Sequence, residues 1–358
     1  MRRWLIIALA AAPGAAAPGT AHAGGVLEEV AAGGAPATEN GPGSRWISDK
    51  LAGIWDVDER WQLRLDLSST RVYSQAADSA PGDVYLGSLS ATYSADEHWS
   101  LRFSGGWSPG STMSATSPID LQGLAGMAVV DATRNAVTTS YGFGAGVDYD
   151  SATDDMHALS GSLSAGVTSF DAEQATIRVR DAGGATVDPA GLLMRCDLEV
   201  CSGAVRGKLI PQSVQLDQLA VSASITDTVD RDTDLSLDAS YFMYDQDPLQ
   251  RGYVFALTTF VTSTVGSASG APLVRDSITP SVSHRWSGVS ATASVSFSDY
   301  LDGREADVGA SLRVQYKLAL AGSHRLKLHA KLAVGSHIDA SYQLTRSGSA
   351  GLGAQYTW

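Results

Sequence analysis

Apolar and polar residues alternate one for one along most of this chain. Trp61, Leu63, Leu65 and Leu67 alternate with Gln62, Arg64, Asp66 and Ser68. Val308, Ala310, Leu312, Val314, Tyr316 and Leu318 alternate with Asp307, Ser311, Arg313, Gln315 and Lys317. A period of two puts successive side chains on opposite faces of an extended strand. The pattern recurs near residues 61–67, 85–93, 99–107, 137–149, 159–167, 219–225, 235–243, 282–286, 289–297, 308–318, 326–334 and 350–358, which predicts twelve strands. The connections alternate in length. Short ones fall at 94–98, 150–155, 227–232, 287–290 and 321–324. Longer ones fall at 108–136, 171–213, 246–276 and 336–349. Every short turn lies on the same side when strands are counted back from the C-terminus.

The strands are longer than the ~5–6 residues usual in globular proteins and match the ~9–11 of a tilted membrane-spanning strand. Aromatics gather at their ends: Trp61, Tyr93, Trp99, Tyr149, Trp286, Tyr356 and Trp358. Interfacial girdles require such a distribution. The final segment, SAGLGAQYTW, sets Leu352, Tyr356 and Trp358 on one face and Gln355 and Thr357 on the other. Hydrocarbon on one side and water on the other accounts for both faces. On these features the chain resembles the bacterial outer-membrane β-barrel superfamily, which includes the porins, by architecture over residues 61–358.

The expected fold class is therefore all-β: a closed antiparallel transmembrane barrel of twelve strands, with fourteen as the alternative, short periplasmic turns and long extracellular loops. Tyr253, Phe255 and Leu257 alternate well enough for a further strand. A local repeat bears on the count. WDVDERWQLRL (55–65) and YSADEHWSLRF (93–103) share aromatic-x-x-Asp-Glu-x-Trp-x-Leu-Arg, and the acidic pair suits a tight polar turn. Were both copies turns, residues 48–55 would supply one more strand. Even closure in a single chain argues against it. The expected division is thus 1–23 signal peptide, 24–60 periplasmic segment with a lead-in at 44–57, and 61–358 barrel.

The N-terminus carries Arg2 and Arg3, a short apolar run over 4–12, and Ala21-His22-Ala23 as a small-x-small cleavage site. These are the parts of a secretory signal peptide, and they imply export through the periplasm of a Gram-negative bacterium. Without that segment the chain keeps 23 basic against 38 acidic residues, a formal charge of −15. Such a balance argues against nucleic acid as a partner. The expected partners are outer-membrane lipid and lipopolysaccharide, a small solute and, as the resemblance implies, the barrel-assembly machinery through the C-terminal strand. The two cysteines, Cys196 and Cys201, fit a small disulfide loop in an exported chain. Two thiolates without a nearby histidine do not complete a zinc site. No cofactor, metal or catalytic set is expected.

Outer-membrane hydrolysis is the enzymatic alternative. His98-Trp99-Ser100 places His and Ser on one face, but that face also carries Arg102 and Ser104 and should be luminal. His337 with Asp339, and Asp245 with Asp247, read as ordinary loop residues. The lumen instead offers charge asymmetry. Arg64, Arg102, Arg285, Arg313, Lys317, Arg325, Lys327 and Lys331 would form a basic wall, and Asp148, Asp234, Asp238 and Asp307 an acidic one. A transverse field of this kind sets ion preference in a pore. The functional expectation is a passive, porin-like channel for small polar or anionic solutes. The alternative is a non-conducting barrel that binds a partner or ligand through extracellular loops, including the long segment 171–213. Because the apolar faces need hydrocarbon, the chain from Gly24 onward should stay monodisperse in detergent and aggregate without it, which size-exclusion chromatography of both preparations checks.

Overall fold

The computed structural model describes residues 22–35, 44–74, 82–124, 127–151, 158–180, 185–198, 209, 212–245, 274–300, 307–319, 325–338 and 344–357. Its elements are β1 (His22–Ala35), β2 (Ser44–Asp56), β3 (Trp61–Ser74), β4 (Gly82–Ser94), β5 (Trp99–Leu124), β6 (Met127–Asp150), β7 (Ala158–Arg180), β8 (Thr186–Val187), α1 (Pro189–Leu198), β9 (Gln212–Asp230), β10 (Thr233–Tyr244), β11 (Val274–Trp286), β12 (Val289–Tyr300), β13 (Asp307–Ala319), β14 (Arg325–Ile338) and β15 (Leu344–Thr357). All pairings are antiparallel between sequence neighbours, except that β7 pairs with β9. β8 adds two residues to the far end of β7. β1 pairs with β15, from Leu27 opposite Thr357 to Gly34 opposite Ala350, and this seam closes the ring.

The barrel has fourteen strands, not twelve. The additional two are β1, which begins at the expected signal-peptide boundary and runs through the stretch read above as periplasmic, and β2, which coincides with the expected lead-in. Both Asp-Glu motifs are true turns. Asp58 Oδ1 accepts from the amides of Arg60 and Trp61, both at 2.8 Å. Asp96 Oδ1 accepts from those of His98 and Trp99, again at 2.8 Å. A strand must therefore precede Trp55, and β1 restores the even count. β1 escaped the periodicity because Gly25, Ala31, Ala32, Gly33 and Gly34 blur the contrast between faces, and Glu28 and Glu29 are adjacent. β2 misleads in another way: Trp46 faces inward and Asp49 outward. The Tyr253–Leu257 segment and the Cys196 and Cys201 side chains lie outside the described residues, as do residues 1–21. Cleavage after Ala23 would spare the regular part of β1, whose ladder runs on unbroken from Gly25 opposite Ile54.

The turns at 57–60, 95–98, 231–232 and 287–288 share one rim with the start of β1 and the end of β15. The other rim departs from expectation. Segment 108–136 is not a long loop: β5 runs to Leu124 and β6 restarts at Met127, in register up to Asp120 opposite Val129. Thr176–Arg180 continues β7 against Asp131–Arg134. β14 and β15 likewise extend into 336–349. These extensions continue the ladder past the short-looped core of the strands, and their sequences do not keep the alternation. The junction is a bulge at Pro109-Gly110. Gly110 adopts φ 84°, a left-handed conformation that glycine alone adopts without strain. The hydroxyls of Ser108 and Ser111 bond across the bulge at 2.8 Å. Beyond it, Asp188 caps α1 through the amides of Ala190 and Gly191, with Pro189 at the first helical position.

Outward faces carry the apolar set, and it is bare: Phe143 is 74% exposed and Leu352 70%. Inward positions carry Ser, Thr, Gly and the charged groups. Six of the expected girdle aromatics are described. Trp61 stacks on Tyr93 at 4.9 Å and Trp99 on Tyr149 at 4.8 Å, each across a strand pair at the short-turn rim. Trp286 meets His284 edge-on beside the 287–288 turn. Tyr356 lies near the end of β15. Trp358 is outside the described residues.

At the closing seam, the Trp46 indole lies against the backbone at Gly33 and Gly351. A Cβ at Gly33 would stand 2.5 Å from both that ring and the carbonyl oxygen of Ala350. Gly33→Val should therefore weaken the β1–β15 seam by about 1–3 kcal/mol, lowering the temperature at which the folded band is lost in heat-modifiability gels. Asp96 is held below the usual carboxylate range because its ionised form accepts the His98 and Trp99 amides. A lowered folded value stabilises the turn above the ordinary pKa and fades as pH falls through the lowered one. Protection of those two amides from hydrogen exchange, corrected for intrinsic rates, should persist through the ordinary carboxylate range near about pH 4 and be lost only on further acidification.

Candidate functional site in the barrel lumen

Period two and the pairing register place the expected luminal residues on one inward surface. They do not leave the charges segregated as expected. On β3, Arg64 grips Asp66 with two nitrogens, Nε to Oδ2 at 2.6 Å and Nη2 to Oδ1 at 2.9 Å. Lys50 on β2 reaches the same carboxylate at 3.1 Å. Arg102 on β5 pairs with Asp148 on β6 at 3.2 Å. Arg285 on β11 pairs with Asp234 on β10, which also accepts from Thr228 Oγ1 at 2.9 Å. Thus three members of the basic set are neutralised beside or across a strand, together with two of the acidic set. Asp238 stands on β10 opposite Ser224 and Thr279, and Asp307 begins β13 opposite Ser298.

The remaining basic residues form a block on two adjacent strands. Arg313 is the direct cross-strand partner of Lys331, and Lys317 of Lys327; Arg325 starts β14 opposite Ala319. Among the described residues, no carboxylate comes within ion-pair distance of these five. Like charges set directly opposite repel, so this arc carries a positive potential that its own strands do not cancel. Seven strands around the ring from β14 stands β6, whose inward positions are Ser140, Gly142, Gly144, Gly146 and Asp148. The basic arc therefore faces a wall that is bare of side chains at three successive inward positions, leaving room between them.

That room is measurable. One cavity of about 580 Å³ is lined by Asp66, Ser104, Gly142, Gly166, Thr168 and Phe242, among others. A second of about 510 Å³ lies between Trp46, Leu86, Arg313 and Lys331. Both are walled in part by Lys50, Ser68 and Leu86. A third, about 400 Å³, opens at the short-turn rim beside Asp96, His98, Asp148 and Ser162.

Sequence reasoning missed several luminal groups. Glu29, Trp46 and Lys50 belong to the unrecognised strands. His329 is 8% exposed, with Nε2 3.5 Å from Glu29 Oε1 and no hydrogen-bond partner at Nδ1. Alternation could have placed it, since it shares the face of Lys327 and Lys331. An apolar cluster also lines the interior: Phe170, Leu216 and Tyr244 pack together, and Phe242 is 2% exposed. Tyr244 donates to the Val274 carbonyl and receives the Gln218 amide at 3.0 Å. The signal was visible as aromatics breaking into the polar file of β7 and β10.

His98 lies in the turn before β5, with Nδ1 2.9 Å from the Asp150 carbonyl oxygen. Among the described residues no three His, Cys, Asp or Glu side chains converge as a metal site.

No protein-family model matches the chain, and no protein of curated function matches it in sequence. Solved structures do match. A FadL homologue of Pseudomonas aeruginosa superposes with a TM-score of 0.51 at 12% identity, over 93% of this chain and 89% of that one. The CymD monoaromatic hydrocarbon channel superposes at 0.50 and 12%, over 93% and 87%. The fold is that of the outer-membrane β-barrels. At such identity the likeness is one of architecture, and the luminal chemistry has to be read from this chain alone.

Phe242 fills luminal space between strands and is sealed from water. Phe242→Ala should cost about 3–5 kcal/mol, read as a lower urea midpoint for unfolding from detergent micelles.

Proposed function

We propose that the protein sits in the outer membrane of a Gram-negative bacterium and conducts small polar or anionic solutes passively through its lumen. The observation that carries this reading is the uncompensated basic block of Arg313, Lys317, Arg325, Lys327 and Lys331 facing the glycine-lined arc of β6. A charge-lined aqueous passage with one sign unbalanced attracts the opposite ion and excludes like ions. The ion pairs at Asp66, Asp148 and Asp234 support it in another way: they fix neighbouring side chains to the wall rather than across the bore. CymD, on the same fold, is a channel for monoaromatic hydrocarbons; here the polar file along most inward positions favours a hydrated solute. Export by the N-terminal signal and recognition of the C-terminal strand by the assembly machinery belong to the same reading, as do outward faces that contact lipid and lipopolysaccharide.

Reconstitution in planar bilayers under a salt gradient tests it. The wild type should give discrete conductance steps with a reversal potential on the anion side. The triple variant Arg313→Gln, Lys317→Gln, Lys331→Gln should lose selectivity by at least about fivefold, the effect of even a single charge at ~1 kcal/mol in water. An electrically silent, correctly folded barrel would remove the reading.

A second reading has its own observation. β5, β6 and β7 continue above the wall and carry β8 and α1 at their outer end, with Val179 and Leu192 fully buried there. An ordered projection of this kind suits binding of a partner or ligand at the cell surface. Deleting residues 113–135 with their β7 complement should abolish such binding and leave conductance intact, as cell-surface capture assays alongside bilayer recordings would show.

A further inference from the structure

We infer that the cavity between Trp46 and Arg313 is a binding site for a small carboxylate carrying a flat apolar body, an arene carboxylate of benzoate size. The inference rests on the channel reading for its biological setting but on separate geometry for its chemistry.

The cavity brings basic and apolar groups together. Arg313 and Lys331 face each other in direct cross-strand register, with no carboxylate within ion-pair distance of either among the described residues. An anion placed between them relieves their mutual repulsion, and the planar guanidinium fork of Arg313 matches a carboxylate's two oxygens. Of the other two charges on this wall, Lys50 is held by Asp66 at 3.1 Å, and the Glu29 carboxylate stands 3.5 Å from the His329 ring. His329 itself is more than nine-tenths buried, lines the cavity, and has no partner at Nδ1.

The apolar part begins beside Lys331. Trp46 is laid against the strand backbones at Gly33 and Gly351, the latter the cross-strand partner of Lys331, a position that a side chain at Gly33 would forbid. Leu86 and the fully buried Val84 continue the same surface from β4. Both are inward-facing departures from the polar file of the other strands, and they line the same cavity as the basic pair. The volume, about 510 Å³, is in the range of small-molecule sites. An aliphatic anion such as acetate would satisfy the cations and leave the indole uncovered. A flat ring bearing one carboxylate satisfies both.

Isothermal titration calorimetry of the full-length mature barrel in detergent micelles tests this without requiring ion flow. Benzoate, acetate and benzylammonium are the probes. Benzoate should bind at least about tenfold tighter than acetate, and benzylammonium should give no heat above micelle controls. Lys331→Gln should weaken both carboxylates about tenfold, the scale of one lost charge-assisted hydrogen bond. Trp46→Ala should bring benzoate down to the level of acetate; Leu86→Ser is the second variant should the first fail to fold. Equal affinity for benzoate and acetate, or benzoate binding indifferent to Lys331→Gln in a folded barrel, overturns the site. Conduction without benzoate preference would sink this inference and leave the channel reading standing. Benzoate binding in a silent barrel would do the reverse.

Discussion

Everything in this molecule depends on backbone hydrogen bonds having no alternative partner in hydrocarbon. An open sheet edge in a bilayer would leave a row of N–H and C=O groups unpaired, at several kcal/mol for each group. The β1–β15 seam removes the last edge, and it does so with eight consecutive cross-strand positions. Closure then forces the rest. It fixes an even number of strands, commits each side chain to oil or to lumen, and gathers charges from distant parts of the chain onto one inner surface. The Trp46 indole lying over Gly33 and Gly351 shows how tightly this junction is made.

Closure also sets the electrostatics. A charge on the inner wall finds counter-charges only on its own strand, an adjacent strand, or across the bore. Asp66, Asp148 and Asp234 each find a cation beside them, so these pairs stay local. β13 and β14 hold cations opposite cations, which leaves their arc positive. The distinctive electrostatic feature of the lumen is therefore an uncancelled block rather than two opposed walls. β6 contributes by subtraction: with glycine at three inward positions, it gives the block space to act on.

Height divides the barrel into two regimes. Within the wall, lipid outside and water inside demand alternation, and the sequence shows it. Beyond the bulge at Pro109-Gly110 the alternation lapses while the backbone ladder goes on. Met113–Leu124 reads as loop because of this, with Pro118 strengthening the impression, yet it pairs with β6 as far as Leu124 opposite Met127. β1 is hidden for a related reason. Its small residues, among them Gly33 beneath the Trp46 ring, satisfy packing at the seam and erase the contrast by which a strand is recognised.

The sequence by itself determined the fold class, most of the strands, the rim on which the short turns lie, and the inward face of the charges on the strands it revealed, because a period of two converts directly into sidedness. It also held the clue to the count. The motif around Asp58 matches the one around Asp96, and both carboxylates cap tight turns. Only the tertiary structure decided that fourteen strands close the ring, that Arg64, Arg102 and Arg285 are already neutralised, and that Trp46, Leu86, Arg313 and Lys331 bound one cavity. Those are facts about register and closure between segments far apart in the chain, and local alternation carries no information about which strand lies beside which.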